Sequence, residues 1–595
     1  MTLIVVAVAF LAAGALLSLL LAGQPRASRA AALVCLIAGC LSGLLPAVWV
    51  LAGGSLSALR IPWAVPLGEF SLALDALSAF FLLPVFVIGL AAGVYGEGYL
   101  EASGGHLPTT AVRFFYFLLI AAMAVIVCAA NAVLFLAAWE VMALAGFFLV
   151  SAEDRKPEVR RAGLIYFLAA HAGTLCLFIF FAVMGSRAGS MDFSAMKAAM
   201  PGPGPTLTGL FALAFVGFGM KSGFVPLHFW LPEAHPVAPS QASAVLSAVV
   251  LKMGVYGLLR FISFCPRVPE SWGVAFLTLG AASAVLGVLF ALVQRDLKRL
   301  LAYSSIENIG IVAMGMGLGC LGRAYGNPVL AAVGFSAALL HVLNHSLFKS
   351  LLFLGAGAFN QALGSRDVEG AGGLLRRMPW TSLFAWIGAA AACGLPPLNG
   401  FIGEWLLYRG LLGGEFAAGT RFAVFAAAAL ALVGGLAAAC FTMAYGALTL
   451  GEPRGPAARD AKDPADLMLW PMSLLGAACL AVGLIPGPFA RAAARAAASI
   501  GGLAAAGAAS AVEGLLAPLA VIGAAGACAL ALAGLFWALR RIFLRDRAVE
   551  TGPTWGCGFS RPSPAMQYTA SSYAQPLALV FSGLLAREVS AQPPS

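Results

Sequence analysis

The sequence predicts an all-α polytopic membrane protein of about 14–15 transmembrane helices, with two inverted five-helix repeats and two broken helices. Three observations carry this prediction. The 595 residues are 61% hydrophobic and only 10% charged, against about 25% charged in soluble domains. Apolar runs long enough to cross a core of about 30 Å recur along the whole chain. Two of these runs are interrupted by proline beside a charged residue, and they lie five helices apart.

The first run, MTLIVVAVAFLAAGALLSLLLAG, lacks the basic flank of a signal peptide and reads as a retained helix over 2–22. Spans follow at roughly 31–52, 70–94, 112–130, 132–150 and 162–184. The next, 207–231, runs into GFGMKSGFVPLHFWLPEAHP, broken at Pro226 and Pro232. Proline removes a backbone donor and clashes with the preceding turn, so this segment is expected to be a helix pair with an unwound middle. Uninterrupted spans return at roughly 241–263, 272–293, 301–321 and 329–358. The run at 379–409 contains AACGLPPLNGFIGEWLLYRG, broken in the same way at Pro396 and Pro397. Spans at roughly 421–449, 468–487 and 517–539 complete the set. The stretches 185–206, 452–466 and 488–514 read as loops or surface helices, and the Ala/Gly-rich 492–511 suits the membrane interface. The expected division is 1–111 for N-terminal helices, 112–263 for the first repeat, 272–449 for the second, and 450–595 for C-terminal helices and a cytoplasmic tail.

The net charge of +10 lies in short loops between spans, with no basic face for a phosphate backbone, which excludes nucleic-acid binding. With the N-terminus outside, Lys and Arg favour cytoplasmic loops by about two to one. Arg155, Lys156, Arg160 and Arg161, then Arg295, Lys298 and Arg299, then Arg540, Arg541, Arg545 and Arg547 weigh most. The eleven Cys are scattered singly, without a Cys-x-x-Cys. That spacing argues against an iron–sulfur cluster, a structural zinc or a dithiol centre, so no cofactor is expected.

Five charged residues fall inside apolar spans: Glu140, Lys221, Lys252, Lys349 and Glu404. Each costs about 2.5–3.5 kcal/mol at the bilayer centre on insertion scales, so such groups are expected to be paired and used. Glu140 and Lys221 are the leading pair. A lysine that alternates between an acidic partner and none changes its proton affinity by units of pKa, each worth about 1.36 kcal/mol. The alternative is a static pair that locks two helices. Lys252 begins a second tier. His341, His345 and Lys349 are spaced by four and share one helical face. The two histidines suit a proton relay from Lys252 toward Glu404, or a polar stripe that satisfies Asn344. The His-x3-His spacing also suits zinc, but the other residues of a helical zinc motif are missing, and no metal is expected. Glu404 stands at the second break, where a group can exchange with water. His228 and His235 follow the first break and suit a channel mouth. Asp296 and Glu307 flank the basic loop in QRDLKRLLAYSSIENIG and read as a solvated helix end, with a channel-mouth role as the alternative. Asp75 is placed as a helix cap.

The run MKSGFVPLHFWLPEAHPVAPSQASAVLSAVVLKMGVYGLLRF resembles the most diagnostic segment of the antiporter-like subunits of respiratory complex I. HVLNHSLFKSLLFLGAG and LPPLNGFIGEW do the same, and the likeness covers roughly residues 70–450. The tail TWGCGFSRPSPAMQYTASSYAQPL is similar to that of the hydrogenase-linked branch, the hydrogenase-4 component B and formate hydrogenlyase subunit 3 types. The resemblance implies a fourteen-helix core with two inverted five-helix repeats. It implies a hydrophilic axis through Glu140, Lys221, Lys252, His345 and Glu404, the last position varying between Lys and Glu among relatives. No long lateral helix is expected after the tail, unlike the distal complex I subunit.

Together these readings point to an inner-membrane, multi-pass subunit that couples redox energy released in partner subunits to proton translocation. The implied partners are a membrane anchor subunit and peripheral nickel–iron hydrogenase subunits with iron–sulfur proteins. The alternatives are a subunit of a multisubunit sodium/proton antiporter, and a structural anchor whose charges only hold helices together.

Overall fold

The computed structural model describes residues 1–63, 68–413, 420–501, 504–548 and 563–585. Residues 554–562 of the diagnostic tail lie outside the described residues, as do residues 502 and 503 of the Ala/Gly-rich stretch. Helices α1 (Thr2–Leu20) and α2 (Pro25–Leu51) form an opening hairpin. A two-stranded antiparallel ribbon, β1 (Leu59–Ile61) and β2 (Phe70–Leu72), follows with Leu59 opposite Leu72. Then come α3 (Ala76–Ala102), α4 (Thr109–Cys128), α5 (Ala132–Val150), α6 (Pro157–Ala188) and the short α7 (Phe193–Ala198). The first interrupted segment is α8 (Pro205–Ser222) and α9 (Leu231–Val237). The span after it is α10 (Ser240–Val245), a π-helical turn (Leu246–Val250) and α11 (Leu251–Phe264).

The long α12 (Glu270–Leu292), α13 (Leu297–Ala324) and α14 (Pro328–Leu363) come next. After the short α15 (Leu374–Arg377), the second interrupted segment is α16 (Pro379–Ala392) and α17 (Asn399–Leu412). The chain continues through α18 (Thr420–Thr449), α19 (Pro456–Asp460), α20 (Asp466–Leu484), α21 (Pro486–Gly501) and α22 (Ala505–Phe543). It ends in α23 (Ala570–Val580) and α24 (Ser582–Leu585). Among the described residues, thirteen helices are long and apolar enough to cross a membrane. The two proline-interrupted pairs come in addition. The protein is an all-α, multi-pass membrane protein.

Local chemistry sets the helix starts. Asp75 caps α3, as expected, by accepting from the Ser78 N–H at 2.8 Å, and Arg260 of α11 clamps the same carboxylate at 2.5 and 2.8 Å. Asn131 caps α5, and Asp296 caps α13. The buried centre is α13 and α14. A Cβ on Gly334 would lie 2.3 Å from the Gly319 nitrogen, so these helices meet backbone to backbone, as small residues allow in membranes. That contact fixes the register of every side chain between them.

At 488–514, expected as loops or surface helices, the described residues are mainly helix. Residues 486–501 form α21, whose alanine face (Ala490, Ala493, Ala497) is fully buried, while Arg495 reaches the Leu51 carbonyl at 3.0 Å. Small side chains let this helix lie close against its neighbours, as an interfacial segment does.

One buried ion pair is structural. Arg113 of α4 donates to Glu97 of α3 at 2.5–3.1 Å and to Ser28 at 3.1 Å, with the two charged side chains 9% and 7% exposed. Removing one partner strands the other. Arg113→Ala is expected to destabilise the protein by about 3–5 kcal/mol, read as a lower melting temperature in detergent. The double variant Glu97→Gln with Arg113→Met is expected to melt above either single change, because no charge is left uncompensated.

Candidate functional site

The first break places Lys221. Helix α8 ends at Ser222 because Gly223 takes the left-handed conformation (φ +79°) and Pro226 cannot continue the hydrogen-bond ladder. The Trp230 indole donates to the Met220 carbonyl at 2.8 Å, satisfying one of the orphaned groups of that terminus. Lys221 therefore sits in the last turn, where the helix dipole favours a cation.

Its direct hydrogen-bond partner is a phenol, with Glu140 within electrostatic range. Lys221 Nζ donates to the Tyr166 hydroxyl of α6 at 3.1 Å and lies 4.9 Å from that ring's centre. No ion pair within 4 Å joins it to Glu140. Glu140 instead lies 3.3 Å from His171 Nε2 of α6, and its other oxygen is buried with no hydrogen-bond partner among the described residues. Glu140 is within electrostatic range of both Tyr166 and Lys221, so the three groups form one cluster. Tyr166 fits because position 146 of α5 is glycine: a Cβ there would lie 2.2 Å from the hydroxyl. Glu140 lies near the middle of α5, well inside the span, and is 26% exposed beside the 32% exposed His171.

The π turn places Lys252. Such single-turn π segments disturb the helical ladder and recur at functional sites. Two of its carbonyls accept side-chain donors: Ser247 O from Lys252 Nζ at 2.6 Å, and Ala248 O from Ser346 of α14 at 2.6 Å. The Ser247 hydroxyl also meets the Ser305 hydroxyl of α13 at 2.7 Å. Lys252 is wholly buried.

Helices α13 and α14 carry the densest polar cluster. On α14, His341, His345 and Lys349 share one buried face, as their spacing predicts. Facing them on α13 are Ser304, Glu307 and Asn308. Lys349 Nζ donates to the Ser304 hydroxyl at 2.9 Å, and that hydroxyl donates to Glu307 Oε2 at 2.9 Å. His341 Nε2 lies 3.1 Å from Asn308 Oδ1. Glu307 is thus no solvated helix end: it is 1% exposed and three turns inside α13. The basic loop beside it in sequence is remote in space because a helix rises about 1.5 Å per residue. Asp296 does occupy the helix end, where it caps α13 and meets Arg366 Nε at 3.0 Å.

The second break places Glu404. Helix α16 stops at Ala392, the chain turns through Gly394 (φ +63°), and α17 starts after the two prolines. A Cβ on Gly394 would lie 2.6 Å from a Glu404 carboxylate oxygen, so the carboxylate rests on the break itself. Asn399 reaches the Asn344 carbonyl of α14 at 3.2 Å, tying the break to the polar cluster. Lys221 precedes its break, whereas Glu404 follows its own.

A polar cavity of about 400 Å³ opens at the end of the bundle that carries Lys156, Lys298 and Arg366. Its wall includes Pro236–Pro239, directly after His235. Lys298 is buried there and donates to the Ala238 carbonyl at 2.8 Å. His235 is fully buried, stacks on Phe353 at 5.0 Å, and has no hydrogen-bond partner on either ring nitrogen among the described residues. His345, Asn344 and Gln241 are likewise buried with unpartnered polar atoms. Buried polar groups are normally hydrogen-bonded, so such a cluster marks a hydratable path. His228 is half-buried in the first break, apart from this cavity's lining.

Several residues of the site escaped the sequence reading: Tyr166, His171, Ser247, Ser304, Ser305 and Asn308. His171 had a signal, being a histidine in an apolar span. Ser304, Glu307 and Asn308 had one too, their spacing of three and four placing them on one helical face.

A sequence profile described as NADH:quinone oxidoreductase/Mrp antiporter, TM, matches residues 129–433. Hydrogenase-4 component B of Escherichia coli K12 is 37% identical over 532 residues, covering 87% of this chain and 78% of its own. Formate hydrogenlyase subunit 3 of the same strain is 35% identical over 436 residues, covering 73% and 69%. The fold matches a chain of the membrane-bound sulfane sulfur reductase, an archaeal respiratory membrane complex. There the TM-score is 0.78 at 22% identity, covering 98% of this chain and 92% of that one. The chain belongs to the NADH:quinone oxidoreductase/Mrp antiporter transmembrane family, as an ion-translocating, antiporter-like membrane subunit related to those of hydrogenase and Mrp-type complexes.

Proposed function

We propose that this subunit moves protons along Glu140, Lys221, Lys252, His341, His345, Lys349 and Glu404, driven by redox chemistry in partner subunits. One observation carries the reading: Lys252, Glu307, His341, His345 and Lys349 are each at most 1% exposed yet lie in one polar cluster between the helices. Ionisable groups held in a bilayer core are expensive and mark ion pathways. A potential of 100 mV is worth about 2.3 kcal/mol per charge, so a change of two pKa units at one lysine, about 2.7 kcal/mol, drives a step against it. The cavity beside His235 supports a cytoplasmic mouth there, with Asp296 holding Arg366 at its rim. His228, at the first break, is a second contributor.

The two halves are proposed as inverted repeats over 112–263 and 272–449, flanked by 1–111 and 450–595. Support comes from order: α4, α5, α6, α8/α9, α10/α11 and then α12, α13, α14, α16/α17, α18 each carry the broken pair fourth. The membrane is proposed to be the cell's inner membrane. The partners are proposed to be a membrane anchor subunit and nickel–iron hydrogenase subunits with iron–sulfur proteins, in keeping with the relatives' names. A membrane partner also suits the partly exposed Glu140 and His171, which lipid would solvate poorly.

The test is acidification of vesicles carrying the assembled complex, followed with a pH-sensitive dye in sodium-free buffer. Hydrogen-dependent acidification that a protonophore collapses is expected. Transport that requires Na⁺ and survives the protonophore contradicts the proposal and selects the sodium/proton antiporter, the reading favoured by the family's Mrp members.

A further inference from the structure

The hydroxyl of Ser304 is hydrogen-bonded to both Lys349 and Glu307, at 2.9 Å from each. All three side chains are at most 1% exposed. No ion pair within 4 Å joins the lysine to the glutamate, so the hydroxyl stands between two opposite charges that would otherwise lock together. It accepts from the ammonium and donates to the carboxylate, the orientation needed to pass a proton on.

We propose that Ser304 is a proton-relay residue between Lys349 and Glu307, and that Glu307 is the acidic partner of Lys349. The step rests on the proton-carrying reading above. An N–H bond of the Lys349 ammonium breaks as its proton joins the Ser304 oxygen. The O–H bond of Ser304 breaks as that proton joins Glu307 Oε2. A charged pair becomes a neutral amine and a neutral acid, the hydroxyl is regenerated, and no electrons are exchanged. The reverse step resets the pair.

The scaffold suits the task. Ser304 and Glu307 are three apart on α13 and so share a face, and the glycine contacts between α13 and α14 hold that face against Lys349. The Ser304 carbonyl accepts from Asn308 at 2.8 Å, and Asn308 in turn meets His341. Next in sequence, Ser305 points the other way, to Ser247 and the turn that binds Lys252. Ser304 thus meets Lys349, and Ser305 meets the turn that holds Lys252.

The experiment compares Ser304→Ala, Ser304→Thr and Glu307→Gln in vesicles carrying the assembled complex, with Lys349→Ala as the control for the pathway. Ser304→Ala is expected to lower the proton-translocation rate at least ten-fold at unchanged assembly, and Ser304→Thr, which keeps a hydroxyl, to retain at least half. Glu307→Gln is expected to match Ser304→Ala, and the double variant to fall no further, since both act on one step. Parental translocation in Ser304→Ala, or a double variant that multiplies the two losses, overturns the relay. If Ser304→Ala does not assemble, the near-isosteric Glu307→Gln decides: parental translocation in it overturns the proposal. An inactive Lys349→Ala beside a fully active Ser304→Ala sinks the relay alone, whereas a fully active Lys349→Ala sinks the pathway as well.

Discussion

Lys221→Ala is expected to lower coupled proton translocation by about 10²–10⁴-fold, the range in which a positioned acid–base group acts. Partner redox chemistry with artificial acceptors should stay intact. Folding should hold too, because Lys221 has a phenol and no carboxylate within ion-pair distance, so its loss strands no charge. Lys221→Arg separates the mechanisms. Arginine keeps the charge but does not release a proton in proteins. A lysine that only anchors helices by its charge predicts retained translocation in the arginine variant, whereas a lysine that carries a proton predicts loss as deep as with alanine. Vesicle acidification at matched subunit content reads the difference.

Gly254→Val is expected to be nearly as damaging without touching an ionisable group. A Cβ at Gly254 would lie 2.3 Å from both the Phe218 carbonyl oxygen and the Ser222 hydroxyl. Helix α11 therefore packs directly on the last turn of α8, the turn that presents Lys221, two residues from its own Lys252. A valine must push that turn outward. Overpacking of this kind costs about 1–3 kcal/mol, and misplacing a reacting group by about 1 Å can cost 10²-fold in rate. Translocation is expected to fall by about that factor while the protein still inserts, with Gly254→Ala intermediate. A valine variant with parental acidification would show that the α8–α11 contact does not set the position of Lys221.

Much of this architecture was legible because its signals are local. Proline beside lysine or glutamate announced both breaks, and a spacing of four put His341, His345 and Lys349 on one face. The partners of the charges were not legible. Glu140 and Lys221 sit in separate spans, and nothing along the chain says that Tyr166 rather than Glu140 meets the ammonium. A tyrosine in an apolar run looks like an ordinary amphipathic aromatic. Glu307 misled because its sequence neighbours are charged, although three helical turns carry it far from them. Serine is quieter still, since its hydroxyl can satisfy itself on its own helix, as Ser305 does with the Leu301 carbonyl at 2.8 Å. Only the packing of α13 against α14 and the π turn shows that Ser304 meets Lys349 and Ser305 meets the turn that holds Lys252.

Lys252→Met offers the most direct measurement. Methionine approximates the length and volume of the wholly buried lysine, and Lys252 has no carboxylate within ion-pair distance, so its loss strands no opposite charge. Acidification of vesicles carrying this variant, normalised to assembled complex and to partner turnover, isolates the proton path from stability. Proton carriage along the buried seam predicts a signal indistinguishable from that left after protonophore. Acidification at the parental rate would mean that protons cross this membrane by some route other than the ionisable groups inside the bundle.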